Sequence, residues 1–242
     1  MIVTGIKTRI FLPSESLFDF ITEHVDIIAE GDILVITSKI CALSENRVRD
    51  IIQKDKYIRQ ESKQIIETPW ATLTLMNDGW GINAGIDESN ANNTLILLPQ
   101  NPFDTAHKLW KKLRHQFKLK KLGIIITDTR SVPLRKGTMG RAIGYAGVLP
   151  FKSYIGKKDL FNRKSRQTQS NIIDALASTA VCIMGEGNEQ TPLVRMSDTP
   201  ATYTQRTLQG EETILTLEPK KDIFASVFTF DHTRTHTRSK KK

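Results

Sequence analysis

Gly123-Ile124-Ile125-Ile126-Thr127, followed at once by Asp128-Thr129, decides the fold class of this chain. Its β-branched run predicts a buried strand over 123–127 that ends on the two polar residues. A second run of the same kind, Ile33-Leu34-Val35-Ile36-Thr37, follows the turn at Gly31-Asp32 and stops at Ser38-Lys39. Helical patterns surround these strands without regular alternation. Ser14 to Ala29 predicts a helix capped by Ser14, with Leu17, Phe18, Ile21 and Val25 on one face. Val48 to Glu67 predicts a polar helix ended by Pro69, and Thr72 to Met76 and Thr94 to Leu98 predict strands around the polar loop Gly79 to Asn93. Asn101 caps and Pro102 opens a helix in which Phe103, Ala106, Trp110, Leu113 and Phe117 recur at steps of three and four. Ser170 starts another, with Ile172, Leu176, Ala180 and Ile183 toward the core and Gly185 just past its end. Val194 and Glu212 to Leu217 add weaker strands. Such mixing predicts an α+β fold, mixed sheets with packed helices.

At 242 residues the chain can bury a sizeable core, as one large domain or two closely packed halves. Its composition is that of an ordinary globular protein, and no apolar run approaches the roughly 20 residues of a membrane span. Met1-Ile2-Val3-Thr4-Gly5 lacks the basic and apolar regions of a signal peptide, and two distant cysteines make no disulfide framework. The cytoplasm is therefore the expected compartment. The net charge of +9 falls to +4 without Arg234, Arg238, Lys240, Lys241 and Lys242. Residues 229–242 are expected to be a disordered basic tail on a domain spanning 1–228, so nucleic acid is not an expected partner.

Three carboxylates stand at the ends of predicted elements: Asp87 in the loop Gly81 to Asn90, Asp128 after the strand, and Glu186 after Gly185. Carboxylates so placed suit Mg²⁺ or Mn²⁺, which take one or two of them together with phosphate oxygens and water. Each can equally be no more than a cap or a turn residue. Ser38-Lys39 offers a hydroxyl and an ammonium to phosphate, yet no Gly-x-x-x-x-Gly-Lys precedes it. The glycines between Gly137 and Gly147, with Arg135, Lys136 and Arg141 beside them, suggest a backbone bent around an anion. Neither cysteine has a nearby basic partner, no Gly-x-Ser-x-Gly elbow occurs, and the histidines lack metal-ligand spacing.

At these loops the sequence resembles the coenzyme F420-0:γ-glutamyl ligases. The matching pieces are Thr37-Ser38-Lys39-Ile40 with Glu45 and Arg47, the string Asn83-Ala84-Gly85-Ile86-Asp87-Glu88-Ser89-Asn90, Leu97-Leu98-Pro99 and Ile126-Thr127-Asp128-Thr129. Ala142-Ile143-Gly144, Ala146-Gly147, Met184-Gly185-Glu186 and Glu218-Pro219 follow in order, so the resemblance runs from about residue 1 to 228. It implies an intertwined α+β homodimer with the site near the subunit junction, and a GTP-dependent ligase using two Mg²⁺ or Mn²⁺ ions. Asp87 and Asp128 match the ligands of one metal, Thr129 and Glu186 those of the second, and Asp87, Asp128 and Glu186 carry the catalysis. Ser38, Lys39, Asn90 and the segment Met184, Gly185, Gly187, Asn188, Glu189 match nucleotide contacts, as does the turn with Leu12 and Pro13. The implied chemistry converts an acceptor carboxylate to an acyl phosphate, which the glutamate α-amine then attacks.

The chain also departs from that pattern. Leu43 stands where a second lysine is usual, Val132 and Ile155 where arginine is usual, and Leu134 where tryptophan is. Ser131 and Asn162 replace glycines, and Lys136 replaces an acid. Retained metal residues beside altered loops fit the same reaction on another acceptor. Coenzyme F420-0 and a folate, which also ends in a γ-carboxyl, both stand as acceptors, and ATP stands beside GTP. A catalytically silent nucleotide- or metal-binding protein is the alternative from another class. Glutamate-dependent nucleotide hydrolysis separates it from an enzyme.

Overall fold

The structure, a computed structural model, describes residues 1–206, 215–218 and 221–224. Five strands form its central sheet: β1 (Ile2–Ile6), β2 (Asp32–Thr37), β8 (Leu122–Ser131), β9 (Thr138–Ala146) and β12 (Leu193–Ser197), in the order β1-β12-β2-β8-β9. Only β2 and β8 run parallel; every other neighbour is antiparallel. The two apolar runs thus lie side by side at the centre, with Ile33 to Ile36 and Ile124 to Ile126 wholly buried. Helices cover both faces, which is why these strands are apolar throughout and do not alternate. Helices α1 (Leu17–His24), α2 (Ser38–Ser44) and α4 (Pro102–Gln116) pack on one face, and α5 (Ile172–Met184) on the other. The α+β class and mixed sheets are as expected.

Smaller sheets sit beside this core. β3 (Val48–Asp50) pairs with β7 (Thr94–Ile96), and β4 (Gln64–Glu67), β5 (Thr72–Met76) and β6 (Gly79–Ile82) form a meander. With α3 (Lys54–Gln60) they enclose a second cluster of Ile58, Met76, Ala84, Ile86, Leu95 and Leu97. β10 (Phe151–Ser153) and β11 (Gln169–Asn171) close a projecting hairpin.

Several expected boundaries move. The helix expected over Val48 to Glu67 is strand, turn, short helix and strand, because its two ends find partners in β7 and β5. The loop Gly79 to Asn93 contains β6. The first helix is capped by Ser16, whose hydroxyl accepts from the Asp19 N–H; Ser14 has φ 67° and lies outside it. Asn171, not Ser170, caps α5, whose core face is Ile173, Leu176, Ala177, Ala180 and Met184, leaving Ile183 exposed. Asn101 and Pro102 open α4 and Gly185 closes α5 at φ 76°, as the residue types demand. The expected strand Glu212 to Leu217 falls partly outside the described residues, as does the whole tail 229–242, and Leu215 to Leu217 are not strand.

The glycine-rich segment is no anion loop; it is β9. A Cβ on Gly140 would lie 2.6 Å from the Ala177 carbonyl oxygen of α5, and one on Gly144 2.5 Å from the Pro102 carbonyl carbon of α4. Positions four apart in a strand share a face, but here they face opposite helices. The register shift that pairs Ile126 with Gly144 and Thr127 with Ala142 leaves Ile143 extra on β9, and that bulge switches the faces. Gly140→Val must displace helix backbone, so it should cost about 1–3 kcal/mol. Thermal denaturation showing an unchanged midpoint would contradict this packing.

Candidate functional site

The site grows from the parallel pair. Thr37 lies level with Thr127, so Ser38 and Asp128 emerge together. The strand expected to end at Asp128-Thr129 instead continues: β8 runs to Ser131, and Asp128 projects from within it. Ser38 Oγ donates to Asp128 Oδ1 at 2.9 Å, inside the protein. Strand alternation then sends Arg130 to the same face as Asp128 and Thr129 to the opposite one. Gly140, level with Thr129, faces α5, so Thr129 faces α5 too.

Three further segments converge on this point. Asp87 is fixed by its backbone, which exchanges N–H···O bonds with Ile96 at 2.9 Å in each direction. The Lys39 ammonium stands 3.3 Å from Asp87 Oδ2 and donates to the Ser89 carbonyl at 3.1 Å. Asn90 Nδ2 donates to the Gly187 carbonyl at 2.8 Å, tying the Asp87 loop to the segment after α5. There the Gly187 N–H donates to Glu189 Oε2 at 2.8 Å, and Thr138 Oγ1 lies 3.5 Å from Glu186 Oε1.

The charges of the three carboxylates act on one another. Burial pushes the Asp128 carboxyl above the usual carboxylate range; Arg130 opposes this and Asp87 adds to it. Glu186 is raised as well, by partial burial first and then by the charges of Asp128 and Asp87, against which Lys39 acts. Like charges at close range disfavour one another's ionised form. Two cations of the chain balance them, Lys39 and Arg130.

Arg130 was not among the expected residues. It is 6% exposed and pairs through Nη1 with Asp128 and through Nη2 with Asp78 at 2.8 Å. Burial works against its charge, yet Asp128 and Asp78 hold its pKa above the ordinary arginine value. The signal lay in the spacing: a residue two places after Asp128 on a continuing strand must share its face.

Other expectations divide. Ser38 and Lys39 are in the cluster, but each engages a carboxylate. Asn90, Gly185, Gly187, Asn188 and Glu189 border it, whereas the Met184 side chain is buried against the α5 core. Leu12 and Pro13 are not brought to the carboxylates; the adjoining Ser14 N–H bonds to the Leu43 carbonyl, at the far end of α2 from Ser38. Among the described residues no group of three His, Cys, Asp or Glu side chains has metal-holding geometry as it stands. The donor set itself, carboxylates with a hydroxyl, is that of a hard divalent cation, and the mutual repulsion is what such an ion relieves. The donor chemistry is that of Mg²⁺ or Mn²⁺, while in this structure Lys39 and Arg130 occupy the Asp87 and Asp128 carboxylates.

Fold and site together define an α+β chain with an acidic cluster at the end of a central parallel strand pair. The family model described as F420-0:Gamma-glutamyl ligase matches residues 5–198, so the chain belongs to that family of ligases. The coenzyme F420:L-glutamate ligase of Methanococcus maripaludis strain C6 is 32% identical over 216 residues, covering 81% of this chain and 85% of the relative. The protein of the same name from Methanocaldococcus jannaschii is 32% identical over 215 residues, 79% and 85% of the two chains. That from Methanosarcina mazei is 34% identical over 209 residues, 78% and 82%.

Lys39→Met removes a positive charge from the cluster, so Glu186 should rise further. A carboxyl raised in the folded state weakens folding only once pH permits its ionisation. The stability deficit of Lys39→Met relative to the unaltered protein should therefore be larger at pH 7.5 than at pH 4. Denaturation midpoints with a deficit independent of pH would exclude this role for Lys39.

Proposed function

We propose that this chain is a γ-glutamyl ligase that joins L-glutamate to coenzyme F420-0 at the expense of GTP. The observation that carries the proposal is the meeting of Asp87, Asp128 and Glu186, from three distant segments, around Lys39 and Ser38. The shared name of the relatives supports coenzyme F420-0 rather than a folate as acceptor, and a folate is not proposed.

Asp87 and Asp128 would hold one Mg²⁺ or Mn²⁺, and Glu186, with the Thr129 hydroxyl on the α5 face, a second. When bound, the ion supplies positive charge against the triphosphate and the phosphoryl group in transfer. Lys39 brings one more positive charge to the phosphate oxygens, and the Ser38 hydroxyl, which donates to Asp128, works against the burial that raises that carboxyl. Asn90 and the loop Gly185 to Glu189, tied to each other, form the wall proposed for the nucleotide. The acceptor carboxylate takes the γ-phosphoryl group to give an acyl phosphate and GDP. The α-amine of glutamate, held beside it, forms the amide and phosphate departs with the bonding pair.

Homodimerisation is part of the proposal. Its support is an exposed apolar hairpin tip, with Leu160 and Phe161 at 96% and 90% exposure on the arm between β10 and β11. Light scattering should find a dimer for the unaltered protein and a monomer for Leu160→Glu with Phe161→Glu; an unchanged mass would remove this interface.

Removing Asp128 also strands a buried arginine, which carries its own folding cost. The exposed Glu186 gives the cleaner experiment. Glu186→Gln should keep or slightly raise the melting midpoint at neutral pH yet lose about a hundredfold or more in ligation, the equivalent of roughly 3 kcal/mol of transition-state stabilisation. Mn²⁺ at about a hundred times its dissociation constant should stabilise the unaltered protein by about 2.7 kcal/mol, and the variant by less. Product mass and thermal shift read the two effects, and a Glu186→Gln protein that ligates normally would refute the assignment.

A further inference from the structure

Arg141 belongs to none of the interactions above. It lies level with Asp128 in the β8–β9 ladder, so both side chains leave the sheet on one face, some 5 Å apart at Cβ by ordinary ladder geometry. Its guanidinium rests over Gly79, where an added Cβ would meet Nη2 at 3.0 Å. Beneath it opens a cavity of about 490 Å³, within the roughly 300–1,000 Å³ usual for small-molecule sites. Met76, Leu98 and Phe103 give it apolar walls, and Lys63, Asp78 and Arg141 its polar rim.

The cavity adjoins the carboxylate cluster through a single side chain. Asp78 on its rim accepts from Arg130 Nη2, while Nη1 of the same guanidinium pairs with Asp128. Its acidic residues are already committed, Glu61 to Arg47 at 2.8 Å and Asp78 to Arg130. Among the described residues Arg141 and Lys63 make no ion pair. Among the described lining residues, the two carboxylates Glu61 and Asp78 stand against the three cations Arg47, Lys63 and Arg141. One excess positive charge suits a single carboxylate and falls well short of what a triphosphate needs.

We infer that this cavity is a carboxylate pocket for one of the two substrates of the proposed ligation, with Arg141 as its principal contact. The planar guanidinium offers two parallel N–H donors that match a carboxylate's two oxygens. Lys63 adds charge at the rim, and the apolar walls take the carbon skeleton. The inference rests on the ligase reading and adds the residues that hold a substrate. Glutamate and the acceptor share this chemistry, so the experiment must tell them apart.

Calorimetric titration of the full chain and of Arg141→Met with L-glutamate, with coenzyme F420-0 and with a non-hydrolysable GTP analogue provides the test. Arg141→Met should weaken one carboxylate by about tenfold or more while leaving the GTP analogue unaffected. Loss confined to glutamate makes the pocket the amine donor's; loss confined to coenzyme F420-0 makes it the acceptor's. Arg141→Lys, which keeps the charge without the two-pronged geometry, should fall between, and replaces the Met variant if that variant melts early. Unchanged affinity for both carboxylates, in a protein that still ligates, overturns the pocket and leaves the ligase reading intact. An unaltered protein that binds neither carboxylate and forms no product overturns both.

Discussion

The in-register parallel pairing of two buried strands is the constraint from which the site follows. With Thr37 level with Thr127, β2 and β8 end their apolar runs together and deliver Ser38 and Asp128 to the same edge of the sheet. Ile33 to Ile36 and Ile124 to Ile126 are covered by helices on both faces, and that burial holds the pair in place. A slip of one residue would turn Asp128 toward α5 and away from Ser38. The bulge at Ile143 and the glycines of β9 serve the same arrangement, letting α4 and α5 sit close on opposite faces of the strand that pairs with β8.

Charge is what this framework gathers. Asp87, Asp128 and Glu186 come from segments that share no local structure; Asp87 raises the cost of ionising Asp128, and both raise that of Glu186. Lys39 and Arg130 offset that cost from inside the protein. Arg130 also reaches Asp78, so the meander β4-β5-β6 is anchored to the site by an ion pair and not only by packing.

Much of the fold was legible because its strongest elements are locally consistent. The buried strands carry β-branched runs, and α4 carries a cap, a proline at its first position and a clear apolar stripe. The polar stretch after Val48 misled because its pattern suits a helix, whereas distant partners draw its ends into β3 and β4. The glycines of β9 looked like an anion loop, since spacing cannot distinguish a turn from close helix approach. Asp87, Asp128 and Glu186 were legible as polar residues near element ends. Arg130 was not legible, because nothing in the apolar run shows that the strand continues past Thr127.

By itself the sequence determined the apolar runs, the caps and the identity of the carboxylates, since propensity, hydrophobic period and resemblance to a family are all properties of the linear chain. Only the tertiary structure decided that those carboxylates meet, that Arg130 lies between Asp128 and Asp78, and that Arg141 faces a cavity. The first two depend on the register of β2 on β8, and the third also on a single extra residue in β9. Register is fixed by the sum of contacts across the sheet, and no short segment encodes that sum.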